Sequence, residues 1–158
     1  MAASEGVNPV EFLEAARYGD LEDVKIMIGQ GVDVNFVDET GRTALFFAAA
    51  NGHLEITQCL IDAEADTSVP NQEGNTPLHW ACLNGHAHVA RALMTVGAAA
   101  TALNSSQRTP YDEALSGNHT AVLEVLGEFM GETEDAGEDP EAGSDPEDQG
   151  AETTSADT

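Results

Sequence analysis

The chain repeats itself every 33 residues, and that period limits its fold more than any other feature. Asn75 to His86 reads NTPLHWACLNGH. Shifted back by 33 the same frame reads RTALFFAAANGH, Arg42 to His53, and shifted forward by 33 it reads RTPYDEALSGNH, Arg108 to His119. No insertion separates the three copies, so Thr43, Thr76 and Thr109 fall in strict register. An earlier copy is visible through Ala15 and Gly19, which precede Ala48 and Gly52 by the same interval. Such a period is the mark of a stacked repeat, in which each unit buries its apolar face only against its neighbours.

The chemistry inside one frame predicts two helices. Thr76 is a candidate N-cap, its hydroxyl accepting a first-turn backbone N–H. Pro77 follows at the first helical position, where a missing N–H costs nothing. Leu78, Trp80, Ala81 and Cys82 make a short apolar helix, and Asn84-Gly85 ends it. A second helix carries Val89, Leu93 and Met94 on one face. The same reading predicts a first pair over Pro9–Tyr18 and Asp20–Ile28. The second pair falls over Thr43–Asn51 and Leu54–Ile61, the third over Thr76–Val96 and the fourth over Thr109–Met130. Between the pairs lie candidate hairpin tips at Asp38–Gly41 and Asn71–Gly74. The third, in Ala98–Gln107, is expected to be altered, because Gln107 replaces the turn glycine and Ala99 the usual Asp. Gly117-Asn118-His119 inverts the order of the earlier Asn-Gly-His stops.

Charge narrows the partners. The 158 residues carry 29 acidic and 5 basic side chains, a formal net charge of −24. Phosphate binding needs Lys and Arg, so neither nucleic acid nor an anionic membrane is an expected partner. A basic protein is, by long-range attraction. Residues 131–158 hold 11 acids and no Lys, Arg, aromatic, Leu, Ile or Val. That composition predicts a disordered acidic tail, because it cannot bury enough apolar surface to offset ordering entropy. Residues 1–130 still carry 18 acids against 5 basic groups, a net of −13. The expected organisation is therefore a flexible N-terminus over 1–8, four repeats over 9–130 and the tail over 131–158. Cys59 and Cys82 are isolated, so they are read as small core residues rather than as a disulfide or zinc pair. The start of the chain has no basic and apolar leader pattern, and no apolar run approaches the ~18–20 residues that span a bilayer. A cytoplasmic or nuclear protein, monomeric on its own, is the expectation.

The motifs offer little to catalysis. His53, His86 and His119 recur at 33 and belong to the structural frame. His86 and His88, two apart on a helix, face in different directions and make a poor metal pair. With no phosphate loop and no nucleophile set, the chain is not expected to be an enzyme, nor to carry a cofactor or metal.

These frames resemble the ankyrin repeat over about residues 8–130. The resemblance implies an all-α solenoid of four helix-turn-helix units with β-hairpin tips, whose concave groove recognises proteins. Within it, the TPLH segment with Trp80 and the acidic tail are similar to small ankyrin chaperones dedicated to one small-subunit ribosomal protein. His79 is present, but its counterparts are Phe46 and Asp112, so the hydrogen bonding of that frame histidine cannot recur along the stack. Matching the family's contact positions gives Arg17, Tyr18, Glu39, Thr40, Arg42, Ala50, Asn51, Gln72, Glu73, Asn75, Leu83, Asn84, Ser105, Ser106, Arg108 and Ser116, with Asp38 among the acidic tips. Trp80 packs either between inner and outer helices or at the edge of the groove. Phe46 and Phe47 pose the same question, and Phe46, replacing a polar histidine, is the better candidate for exposure. Leu83 is read as groove-facing. The function implied is an escort for a basic client. A signalling adaptor or a kinase-docking inhibitor is the alternative.

Overall fold

The computed structural model describes residues 7–137. Eight helices follow in chain order: α1 Pro9–Tyr18, α2 Leu21–Gly29, α3 Ala44–Ala50, α4 Leu54–Asp62, α5 Pro77–Leu83, α6 Ala87–Thr95, α7 Pro110–Ser116 and α8 Thr120–Gly137. Two compact units divide the chain, Met1–Leu126 and Gly127–Thr158, and the repeats belong to the first. The inner helices α1, α3, α5 and α7 pack in succession, as do the outer helices α2, α4 and α6, and the first three outer helices also pack on their own inner helix. The architecture is an all-α repeat solenoid.

The period explains why these segments form helices and why they stack. Thr43, Thr76 and Thr109 are extended, and each hydroxyl accepts the backbone N–H three residues on, at Phe46, His79 and Asp112. Ala15, Ala48, Ala81 and Ala114 form a column of buried small side chains that lets neighbouring inner helices approach closely. On the outer helices Leu60, Leu93 and Leu126 are fully buried at the same interval. Burying such a side chain contributes about 1.5–3 kcal/mol.

Four expectations change at the ends and tips. Asn8 is a cap rather than part of a loose terminus, its side chain accepting from Val10 N at 3.0 Å. At the other end α8 continues past Met130 to Gly137. Glu and Ala favour propagation of a helix already nucleated upstream. Residues 138–158, the rest of the expected tail, and residues 1–6 lie outside the described residues. The tips contain no strand among the described residues. Each tip keeps a backbone bond across it, from Asp38 N–H to Arg42 O, Asn71 N–H to Asn75 O and Asn104 N–H to Arg108 O, and a side-chain oxygen reinforces it. Asp38 Oδ1 accepts from Thr40 and Arg42 N–H, Asn71 Oδ1 from Glu73 and Asn75, and Asn104 Oδ1 from Ser106 and Arg108. The tip Asn104–Gln107 is closed like the other two, whereas Ala99 lacks the side-chain oxygen with which Asp33 and Asp66 accept from Asn35 and Ser68 N–H. Gln107 takes the left-handed conformation, φ +63°, that glycine takes in the other two, and the closing bonds are kept.

Candidate protein-binding groove

Successive repeats are tied together at two levels. At the outer end of the inner helices, His53, His86 and His119 reach back to the carbonyls of Arg17, Ala50 and Leu83 at 3.1, 3.1 and 2.8 Å. A carbonyl only accepts, so Nε2 carries the proton, and each ring satisfies a carbonyl left over at a helix end. The recurring histidines are thus structural latches. The tips form the second level. Gln72 N–H donates to Thr40 O at 2.8 Å, and Ser105 N–H donates to Glu73 O at 2.9 Å.

Between tips and inner helices lies a pocket of about 350 Å3. Arg17 closes one side, Thr40 and Arg42 come from the first tip, and Asn71, Gln72 and Glu73 from the second. Phe46, Phe47, Ala50 and Asn51 of α3 and Trp80 of α5 form its floor and far wall. The Phe46 ring lies edge-on to Phe47 at 6.2 Å and tilted against Trp80 at 5.9 Å. Offset and edge arrangements of this kind are the favoured aromatic geometries. The Arg42 guanidinium sits 4.9 Å from the Phe47 ring centre, and that of Arg17 sits 5.8 Å from it on the other repeat. The indole Nε1 of Trp80 is buried without a hydrogen-bond partner. Two further hollows, of about 130 and 520 Å3, are lined by Val10 and Leu13, and both share Arg42 with this pocket.

The pocket gathers nine of the candidate residues: Arg17, Thr40, Arg42, Phe46, Ala50, Asn51, Gln72, Glu73 and Trp80. Its aromatic members correct the expected ranking. Phe46 is only 4% exposed, because Phe47 and Trp80 enclose its ring; Trp80 is the more open residue, half-buried at the wall. Phe47 is also buried, yet it joins both arginines and was passed over for Phe46. Asn71, a turn residue by its sequence position, also lines the pocket, which depends on where its side chain sits.

The remaining candidates divide by what already occupies them. Asp38 is a tip brace: Arg42 Nε donates to its Oδ2 at 2.9 Å, and Arg42 Nη2 lies 2.9 Å from the same oxygen. Burial pushes its carboxyl up, but hydrogen bonds from Arg42 and Thr40 outweigh that and leave the pKa lowered. Arg108 is likewise folded inward, onto Glu113 Oε2 at 3.2 Å, Asp112 O at 2.8 Å and Ser116 Oγ at 2.6 Å. Asn75 Oδ1 accepts from Asn104 at 2.8 Å. Asn84 Nδ2 donates to Ala50 O at 2.8 Å. Leu83 is half-buried and does not line the pocket. Tyr18, Glu39, Ser105 and Ser106 are exposed around the groove, and Arg17 lies 5.4 Å from the Tyr18 ring.

The frame histidine divides its work as its counterparts dictate. His79 Nδ1 accepts from Thr76 N–H at 3.0 Å, which fixes the Nε2–H tautomer, and Nε2 donates to Arg108 O at 3.0 Å. Asp112 Oδ2 takes the first of these bonds in the next repeat, from Thr109 N–H at 2.9 Å. Phe46 has no such atom and packs instead.

Cys82 is buried, and burial, with the charge of Glu113 second, pushes its thiol up to about 12. Cys59 is only half-buried, so it is less of a core residue than expected. Among the described residues no group of three His, Cys, Asp or Glu is arranged to hold a metal ion, and no helix is long and apolar enough to cross a membrane.

Comparison with known proteins adds the family. No curated protein matches the chain. A family model described as Ankyrin repeats (3 copies) matches residues 12–102 and, in a second overlapping alignment, residues 63–135. The chain belongs to the ankyrin-repeat family, whose repeats are protein–protein interaction modules.

Proposed function

We propose that this protein escorts a basic protein client, holding one of its segments in the groove while acidic side chains cover its positive surface. The observation that carries the proposal is an aromatic-floored pocket set between the exposed acidic tips Glu39 and Glu73, in a chain of net charge −24. Buried aromatic contacts set how long a partner stays. Exposed carboxylates act chiefly on the encounter rate. A ribosomal protein is the client class suggested by the TPLH segment and acidic C-terminal composition, and the cytoplasm or nucleus is the proposed site of action.

The test is a pull-down with the full chain at low and high salt, with mass spectrometry of the bound proteins and direct titration of purified candidates. Enrichment of basic proteins at low salt, with one retained at high salt and perturbing Trp80 fluorescence, is the expected result. Recovery of kinases or signalling receptors, without a basic client, would instead favour the adaptor reading.

A further inference from the structure

We infer that the pocket is built for a partner segment that presents a carboxylate beside an apolar anchor, an acidic side chain within an otherwise basic client. The inference rests on the groove-binding reading above and adds the chemistry of the anchor. It starts from a mismatch of sign. The chain has 5 basic residues against 29 acidic ones, yet two of the five, Arg17 and Arg42, line this one pocket. Glu73 is the pocket's single acidic lining residue, and its Oε1 already accepts from Asn75 Nδ2 at 3.3 Å.

The two arginines are not equivalent. Arg42 is held by Asp38 and serves the tip. Arg17 makes no ion pair among the described residues, and its guanidinium lies over the rings of Tyr18 and Phe47. Its backbone is fixed, because its carbonyl accepts from His53. An exposed guanidinium stacked on aromatic faces keeps its planar fork of donors for a carboxylate. The rings beneath it offer a seat for a neighbouring apolar side chain. The unsatisfied buried donor of the pocket, Trp80 Nε1, also lacks an acceptor rather than a donor. The chain's own residues 138–158 supply carboxylates but no Leu, Ile, Val, Met or aromatic side chain, so they match only half of this requirement.

A random peptide library selected on the immobilised full chain tests the inference. Enriched peptides are expected to pair Asp or Glu with Phe, Leu or Trp within one helical turn and to change Trp80 fluorescence. Arg17→Glu should weaken the best of them by about tenfold, the scale of losing a hydrogen bond to a charged group. Arg17→Lys should retain more affinity than Arg17→Glu. Arg17 is exposed, and circular dichroism of both variants verifies that the repeats remain folded. Peptides that perturb Trp80 without any acidic preference, or that bind Arg17→Glu unchanged, overturn this inference and leave the groove reading standing. Peptides that ignore both Trp80 and a Phe47→Leu change overturn the groove reading itself, and no enrichment at all overturns both.

Discussion

His86 Nε2 lies 3.1 Å from the carbonyl oxygen of Ala50, in the preceding repeat, and the ring passes directly over Gly52. A Cβ on Gly52 would meet His86 Nδ1 at 2.7 Å, and the glycine is at φ +76°. Gly85 stands in the same relation to His119, at 2.7 Å and φ +81°. Gly52→Val and Gly85→Val should therefore both displace a latch and strain the backbone. A loss of about 1–3 kcal/mol is expected from the strain alone. Urea unfolding measures it, and unchanged midpoints in both variants would refute the latch.

Glu64 and Gln107 provide the converse test. They stand at φ +67° and +63°, where neighbouring repeats place Gly31 and Gly97, and Gly41 and Gly74. A left-handed side chain costs roughly 1–2 kcal/mol, partly offset by the extra freedom glycine gives the unfolded chain. Glu64→Gly and Gln107→Gly should each raise the melting temperature slightly, and a clear fall in both would show that these side chains make compensating contacts.

Phe46 and Trp80 should separate folding from binding. Phe46→Ala removes an enclosed ring and should cost about 3 kcal/mol. Trp80→Phe removes a buried donor that has no acceptor, so its effect on folding should be near neutral or stabilising. Thermal melts distinguish the two, and a large loss in Trp80→Phe would mean that the indole N–H is satisfied in solution.

His79 gives a pH dependence of known sign. Burial disfavours its charged form and lowers its pKa, while the Arg108 carbonyl and the Glu113 charge act the other way. The unfolded chain, with an imidazole near the usual value of about 6.5, binds the proton first as pH falls. The contribution is thus complete above that value and is lost on acidification. His79→Gln should show a smaller drop in melting temperature between neutral and mildly acidic solution than the native chain. An equal or larger drop would assign the acid sensitivity elsewhere.

The acidic C-terminal segment is best tested by truncation after Gly137, where α8 ends. This removes eight carboxylates and leaves the groove intact. Exposed charges are screened beyond about 8 Å at physiological salt. The association rate with a basic client should fall at low salt and be unaffected near ~0.5 M, as stopped-flow mixing would show. An unchanged low-salt rate would remove the segment from the escort reading.

Thr76, Gly85 and His86 were legible in the sequence because each acts through its own backbone position, and a period of 33 displays such positions three times. The stack, its helices and its groove residues follow from that register. Phe46 was misplaced because its exposure depends on how Phe47 and Trp80 close around it, which no spacing encodes. The turn residues suit a hairpin, and each tip does keep one backbone pair, but Asp38, Asn71 and Asn104 bind the returning N–H groups with their side chains and no strand forms among the described residues. Asp38 and Arg108 are engaged by internal contacts that sequence spacing does not encode, and the sign of the pocket depends on Arg17 and Arg42 converging on Phe47 from different repeats.

The latches have a genetic corollary. Each histidine grips a carbonyl 36 residues behind it, and each tip bond spans 32 residues, irrespective of which repeat it joins. Excising residues 52–84, one whole period, would deliver His86 to the carbonyl of Arg17 and His119 to that of Ala50. Each remaining latch and tip bond would re-form with a new partner, while the bonds of His79 to Arg108 and of Asn75 to Asn104 would go with the excised residues. Loss or duplication of a 33-residue unit therefore leaves the latches and tip bonds in register, whereas a shift of even one residue puts out of register the latch and tip bond that span it. A 33-residue step is thus the change of length that keeps this register, and with each step the chain would gain or lose one set of groove residues.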